Sequence, residues 1–127
     1  MPRHKTPLKI LQARMRERSK RWREANPERN KRACWNAVLK KKYGITAAEY
    51  EQLLDDQEGG CAICHSPDPK AKCFGNDTRL HVDHDHATGT VRGLLCHPCN
   101  TSLGAMGDSP ARLRRAATYL EAHYAEA

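Results

Sequence analysis

Two pairs of closely spaced cysteines restrict the fold of this chain more than any other feature. Cys61 and Cys64 form one Cys-x-x-Cys pair, Cys96 and Cys99 form the other, and 31 residues lie between the pairs. A two-residue spacing lets both sulfurs of one turn face the same ion, and four thiolates complete the tetrahedral shell of a structural zinc site. The spacing therefore predicts a zinc ion that joins two distant segments of the chain.

Other uses of the six cysteines are less consistent with the sequence. No apolar run among the 127 residues approaches the length of a membrane span, and the charged N-terminus lacks the apolar core of a signal peptide. We therefore expect a soluble intracellular protein with no membrane partner, where disulfides do not persist, and iron–sulfur clusters usually show other spacings. Cys34 and Cys73 are interpreted as ordinary thiols, and His65 and His97 as exposed neighbours of the zinc ligands.

Positive charge is concentrated at the start of the chain. Residues 1–42 contain 15 of the 22 Lys and Arg residues but only three acidic residues, whereas the remainder has seven basic and twelve acidic residues. A basic arm next to a mildly acidic body is typical of polyanion binding, because each neutralised phosphate releases counterions. A solvated helical surface would explain the basic residues but not the shortage of acidic ones. We therefore predict a nucleic-acid partner.

The first half of the chain has the apolar spacing of helices. The first predicted helix runs from Leu8 to Ala25, the second begins at Pro27 and stops at Gly44, and the third opens at Thr46 and stops before Gly59. Asn26 is the expected N-cap of the second helix, since Pro is favoured at the first helical position. The third begins with a capping box, in which Thr46 is followed three residues later by Glu49.

A β-hairpin is predicted between the two cysteine pairs. The predicted strands are residues 79–83 and 91–95, and a polar turn joins them over residues 84–90. Residues 66–78 are rich in turn formers and are expected to form an exposed loop. A short helix should begin near Cys99, and a last helix should start at Ser109-Pro110. The last helix is expected to turn these side chains inward: Leu113, Ala116, Ala117, Leu120 and Tyr124.

Residues suited to phosphodiester hydrolysis occupy the hairpin and the segment after it. Asp83 and His84 lie on the hairpin, and Asn100 directly follows the second cysteine pair. Carboxylate and amide oxygens are hard ligands suited to Mg²⁺, and a neutral imidazole can accept a proton near pH 7. A zinc ion that fixes both ends of the hairpin would bring these residues together. Alternatively, the histidine cluster forms a second structural metal site, or the protein only binds DNA.

Five segments together resemble the recombination endonuclease VII family, which belongs to the HNH or ββα-metal (His-Me finger) nucleases of phages. The resemblance covers roughly residues 43 to 120. It rests on Tyr43-Gly44-Ile45-Thr46, Cys61-x-x-Cys64, His81-Val82-Asp83-His84-Asp85-His86, Val91-Arg92-Gly93-Leu94-Leu95-Cys96 and Cys99-Asn100. The combination is far more specific than any one of these motifs.

The resemblance implies roles for individual residues. Asp83 and Asn100 would bind a catalytic divalent ion, Mg²⁺ or alternatively Mn²⁺, and His84 would act as the general base. His86 and His81 would position the phosphate or contribute to the metal shell. Arg92 has two interpretations, a contact with phosphate or a plain position on the strand surface.

The resemblance also implies an architecture and a setting. The expected fold is a small α+β, zinc-containing ββα-metal module flanked by helices. The charge and helical pattern of residues 1–42 predict a basic helical arm for DNA binding or dimerisation, and residues 43–127 would form the endonuclease domain. The expected partner is branched DNA such as a Holliday junction, bound by a monomer or a homodimer. The expected location is the cytoplasm of the bacterial host of a phage.

Three other functions remain open at this level. An HNH nicking enzyme of the homing or packaging type would share the chemistry without preferring junctions. A non-catalytic zinc module could bind DNA through the basic arm, although binding alone does not need a base beside a hard metal ligand. A zinc-ribbon module for protein interaction would leave the basic arm unexplained.

Overall fold

A computed structural model describes residues 6–70 and 79–124 of the chain. The chain divides into two compact units, Met1–Ala47 and Ala48–Ala127. Within the described ranges, no helix combines the length and the apolar character needed to cross a bilayer. Cys73 and most of the predicted loop lie outside the described residues.

Two helices make up the described part of the first unit. Helix α1 spans Leu8–Ala25 and α2 spans Pro27–Tyr43, as the sequence predicted. Gly44 ends α2 in the left-handed conformation, with φ of 71°, which glycine adopts at little cost. Asn26 occupies the predicted N-cap position, but its side chain donates to the Trp22 carbonyl of the preceding helix (2.9 Å) instead of capping α2.

The two helices differ in how many of their side chains are buried. In α2, Trp35 and Leu39 are buried, so this helix contributes to the core. None of the side chains of α1 is buried, and its apolar residues stay exposed together with its many basic ones. The exposed apolar side chains of α1 are Leu8, Ile10, Leu11, Met15 and Trp22. Helix α1 is therefore a surface element whose side chains are available to a partner.

The second unit begins with a short helix that supports the hairpin. Helix α3 spans Ala47–Asp56 and buries Tyr50, whose hydroxyl donates to the Leu80 carbonyl (2.7 Å). A buried tyrosine needs a partner for its hydroxyl group, and here that partner lies directly before the first strand. The contact fixes the start of the hairpin against α3.

The predicted hairpin is present. Strand β1 spans His81–His84 and pairs antiparallel with β2, Val91–Leu95. Strand β1 thus starts two residues later than predicted and includes His84. The register is interrupted between Asp83 and His84, because Asp83 pairs with Gly93 whereas His84 pairs with Val91. Arg92 is therefore the extra residue of a β-bulge.

Two helices complete the second unit. Helix α4 spans His97–Ala105 and packs against β1, and α5 spans Pro110–Tyr124. Ser109 begins α5 as predicted, since its hydroxyl accepts a hydrogen bond from the Arg112 N–H (3.2 Å). The predicted inward face of α5 is wrong, because none of its residues is buried, and Leu120 and Tyr124 are 50% and 69% exposed. Helical spacing marks an apolar stripe but does not supply the surface that covers it.

One glutamine side chain connects three parts of the second unit. The Gln57 amide nitrogen donates to the carbonyls of Gly60 and Leu94, each at 2.8 Å, and its oxygen accepts from the Leu94 N–H at 2.8 Å. A side-chain amide has the same kinds of donor and acceptor as a peptide group. Gln57 therefore forms hydrogen bonds with the backbone of β2 as a neighbouring strand would. The residue thereby holds β2 beside the turn that begins with Gly60.

We predict that Gln57→Ala lowers the free energy of unfolding by about 2 kcal/mol, because it leaves the Leu94 N–H without its partner and removes the hydrogen bonds to the carbonyls of Gly60 and Leu94. Chemical denaturation monitored by circular dichroism would measure the change. Gln52→Ala is the matched control, since Gln52 bonds only to exposed Asp56 on the same helix. Equal stability of both variants would contradict this role of Gln57.

Candidate metal centre and active site

The four predicted zinc ligands converge in the structure. The ligand sulfurs of Cys61, Cys64, Cys96 and Cys99 all lie within 4.8 Å of one another. The sulfurs of Cys64 and Cys96 are 3.7 Å apart. A disulfide would require about 2.05 Å, whereas tetrahedral Zn–S bonds of about 2.3 Å place two sulfurs about 3.8 Å apart. The cluster therefore has the donor set of a tetrahedral thiolate site, and the distance between Cys64 and Cys96 fits such a site.

Burial and hydrogen bonds shift the pKa values of two of these thiols in opposite directions. Burial raises the pKa of Cys61, but hydrogen bonds with the backbone of Cys64, Cys96 and Ile63 outweigh it and lower the pKa to about 6. Burial and hydrogen bonds with the other three thiols raise the pKa of Cys99 to about 12. A cation held at the centre would favour the thiolate form of every ligand. The protein environment alone thus favours ionisation of the Cys61 thiol, and a bound metal ion would favour ionisation of the other thiols.

The turn that carries the first cysteine pair is tightly closed. The Cys61 N–H donates to the Ser66 carbonyl, and the His65 N–H donates to the Cys61 carbonyl, both at 2.9 Å. A Cβ at Gly60 would collide with the backbone carbonyl of His65. Glycine at position 60 is thus required by the close approach of two backbone segments. The Ala62 N–H donates to the Leu94 carbonyl (3.0 Å), which joins the turn to β2.

Asp83 lies in the buried part of the hairpin and binds an arginine. It is 7% exposed, and its two carboxylate oxygens accept from Nε and Nη2 of Arg92, at 2.8 and 3.0 Å. Arg92 Nη2 also approaches Asp108 Oδ2 (3.3 Å). These hydrogen bonds, that with Asp83 foremost, raise the pKa of Arg92. A bidentate pair fixes both the position and the plane of the carboxylate.

The two histidines of the motif that follow Asp83 lie close together. His84 ends β1 and His86 lies in the exposed turn after it, with ring centroids 4.7 Å apart. Asp85 shapes this turn, because its carboxylate accepts from the N–H groups of Ala87 (2.8 Å) and Thr88 (3.1 Å). Those two hydrogen bonds, with Thr88 and then Ala87, lower the pKa of Asp85. Asp85 therefore serves the turn that presents His84 and His86.

Asn100 is carried by the helix that packs against the hairpin. It lies in the first turn of α4, directly after Cys99, and its N–H donates to the Cys96 carbonyl (3.0 Å). Since α4 packs against β1, the second cysteine pair, Asn100 and the strand with Asp83 belong to one substructure. His81 and His97 also approach each other across this substructure, with ring centroids 5.4 Å apart.

Sequence reasoning missed the acidic partners of Arg92. The sequence predicts a strand-surface position or a contact with phosphate, and the guanidinium instead bridges Asp83 and Asp108. The sequence signal that could have shown this is an arginine two residues before the buried Leu94, on the strand opposite an aspartate. The bulge that turns Arg92 toward Asp83 is not visible in the sequence, because strict alternation would place it on the other face.

Comparison with known proteins identifies the family. The family model of recombination endonuclease VII matches residues 36–122, and the chain belongs to this family. It is 46% identical over 87 residues to the Gene 59 protein of Mycobacterium phage D29, and 45% identical over the same length to that of Mycobacterium phage L5. Each match covers 68% of this chain but 49% of the relative, so the chain spans about half the length of these relatives. No solved structure matches.

The four-cysteine cluster predicts one tightly bound zinc ion per chain, because its ligands come from two segments and couple metal binding to folding. Cys96→Ser should lose the metal and much of the thermal stability, as measured by elemental analysis and thermal unfolding. Cys34→Ser, at an exposed cysteine outside the cluster, is the control. A purified protein without zinc, or a Cys96→Ser variant with full zinc content, would refute the assignment.

Proposed function

We propose that the chain is a metal-dependent DNA endonuclease of the HNH type that hydrolyses phosphodiester bonds. The observation that carries the proposal is the placement of Asp83 and His84 side by side on β1, against which α4 with Asn100 packs. Membership of the recombination endonuclease VII family supports the same chemistry. The four cysteines would hold a structural zinc ion that keeps β2 and α4 beside the turn at Cys61.

Asp83 and Asn100 would hold the catalytic Mg²⁺, for which Mn²⁺ is an alternative. Each carboxylate oxygen has two lone pairs, so the hydrogen bonds with Arg92 leave one on each oxygen for an ion. Carboxylate and amide oxygens form the hard donor set that Mg²⁺ requires. When bound, the ion would neutralise negative charge that develops on the phosphate and on the leaving oxygen.

His84 would act as the general base. The imidazole at the end of β1 would accept a proton from the water that attacks the phosphorus atom, and it is held next to Asp83 by the strand. His86, with its ring close to that of His84, would position the phosphate through a ring N–H. Their placement at the rim of the hairpin leaves both rings partly or fully exposed, as a macromolecular substrate requires.

We predict that His84→Ala lowers the rate of DNA cleavage by roughly 10²- to 10⁴-fold, the usual range for the loss of a general base. Cleavage of a labelled duplex in the presence of Mg²⁺ would measure the rate. His123→Ala on α5 is the control, because that histidine is exposed and lies far along the chain from the hairpin. Wild-type cleavage by the His84 variant, in a preparation free of other nucleases, would refute this mechanism.

DNA binding is assigned mainly to helix α1. Its side chains are all exposed, and basic residues greatly outnumber acidic ones along it. A cavity of about 470 Å³ opens beside it and combines apolar, basic and polar side chains. The cavity is lined by Met15, Arg18, Ser19, Trp22, Arg23 and Asn30. An exposed indole next to two guanidinium groups suits a nucleotide, since the ring can stack on a base while the cations meet phosphates.

Replacing Arg14, Arg16 and Arg18 by Gln should weaken DNA binding and reduce its salt dependence. Each phosphate that the protein no longer neutralises lowers the slope of log K against log salt by about 0.9 on duplex DNA. Gln keeps the helix, because its helix propensity is close to that of Arg. The same three changes at Arg112, Arg114 and Arg115, all exposed on α5, provide the control. A salt slope unchanged by the α1 variant would place the binding surface elsewhere.

The preferred substrate is proposed to be branched DNA, cut by a homodimer in the infected bacterial cell. Resolution of a junction requires two incisions, and one chain supplies a single set of Asp83, His84 and Asn100. The exposed apolar residues of α1 outside the cavity, Leu8, Ile10 and Leu11, offer a surface that a second copy could cover. A nicking enzyme without junction preference is the alternative within the same chemistry.

The junction proposal predicts that a four-way junction competes more strongly than a linear duplex of equal length, and that light scattering gives a dimer. The physical reason is that two linked active sites can engage both strands exchanged at the branch point. Competition would be measured with labelled linear DNA under cleavage conditions. A monomer that cuts both substrates equally would favour the nicking enzyme.

A further inference from the structure

Arg92 is held between two acidic residues beside the proposed catalytic centre. Its Nε and Nη2 bind Asp83, and Nη2 also reaches Asp108, in the segment between α4 and α5. The Asp83 side chain is 10% exposed, so its contact with Arg92 is partly shielded from water, whereas the contact between Arg92 and Asp108 is more open to solvent. Charge-assisted hydrogen bonds in such surroundings are stronger than exposed ion pairs.

The backbone around these residues is shaped to allow the contacts. Arg92 is the extra residue of the β-bulge, and bulges redirect a side chain that regular pairing would place on the other face. Asp108 has φ of 53°, in the left-handed region that few residues other than glycine adopt. Both departures from regular geometry thus occur at residues that meet in one ion-pair network. Neither residue takes part in the proposed hydrolysis itself.

We propose that Arg92 and Asp108 are positioning residues that orient the Asp83 carboxylate for the divalent ion. The inference rests on the proposed function, in which Asp83 holds that ion. The planar fork of Arg92 fixes the plane of the carboxylate, and therefore the directions of the two lone pairs that remain for a metal. Asp108 restrains the guanidinium from its second side. It acts on Asp83 only through Arg92.

Two conservative substitutions separate this role from a general effect on folding. Arg92→Lys keeps the positive charge but removes the planar fork, so it changes the orientation of Asp83 and not the net charge. Asp108→Asn keeps the side-chain shape, and Asn tolerates the left-handed conformation as well as Asp does. Thermal unfolding of the zinc-loaded proteins would establish that both variants fold like the wild type.

The test measures the affinity of the zinc-loaded protein for Mn²⁺ without DNA, from the decrease of the electron paramagnetic resonance signal of the free ion. We expect Arg92→Lys to weaken Mn²⁺ binding by about 10- to 100-fold, the usual effect of removing a partner of a metal ligand. Asp108→Asn should weaken it in the same direction by a smaller factor. Arg115→Lys, on the exposed surface of α5, should bind Mn²⁺ like the wild type.

The double variant, Arg92→Lys with Asp108→Asn, distinguishes a positioning role of Asp108 from a direct electrostatic effect of its charge on the bound ion. Removal of the Asp108 charge lowers cation affinity through space whatever Arg92 does, and that effect would persist in the Arg92→Lys background. If Asp108 acts through Arg92, the double variant should bind Mn²⁺ within about twofold of Arg92→Lys alone. Additive losses would overturn the role of Asp108, and wild-type affinity in Arg92→Lys would overturn the inference as a whole.

The same experiment separates this inference from the function on which it rests. A wild-type protein that neither binds Mn²⁺ nor cleaves DNA would refute the proposed function, and this inference with it. If Asp83→Ala abolished Mn²⁺ binding and cleavage while Arg92→Lys retained both, the proposed function would stand and only the positioning role would be refuted.

Discussion

The convergence of four cysteine sulfurs is the contact on which the second unit depends. One pair follows α3 and the other follows β2, so the cluster joins segments that are far apart in the sequence. The hydrogen bond from the Ala62 N–H to the Leu94 carbonyl, and the three hydrogen bonds made by the Gln57 side chain, connect the same segments. With so small a buried core, a metal ion bound by the four sulfurs would fix the hairpin more firmly than apolar contacts alone can.

The contact between these segments also positions the candidate catalytic residues. Strand β2 ends at the second cysteine pair, β1 is paired with β2, and α4 packs against β1. Asp83 on β1 and Asn100 on α4 are therefore both positioned through one cluster. The proposed chemistry requires hard oxygen ligands near an imidazole, and soft thiolate ligands kept apart from them. The chain meets this need by placing the sulfurs in the turns and at the start of α4, and Asp83 and His84 on β1.

Prediction from the sequence succeeded where a local rule decides the outcome. Helix α1 matched its apolar and basic pattern from Leu8 to Ala25, Gly44 ended α2, and β2 matched its predicted bounds. Prediction failed where the outcome depends on which other element packs against a residue in the folded chain. Helix α5 has the spacing of a buried helix, yet Leu120 and Tyr124 are exposed. The roles of Gln57 and Arg92 were also missed, because each contacts a residue on another element.

The sequence by itself determined the four-thiolate set, the hairpin between its halves, and the residue types available for hydrolysis, because ligand spacing and strand alternation are local properties. It also carried enough motifs to indicate the family. Only the tertiary structure decided that Asp83 is buried and bound by Arg92, that the bulge at Arg92 allows this contact, and that Asp108 shares the same guanidinium. These features depend on strand register and on the meeting of distant segments, which residue spacing along the chain does not specify.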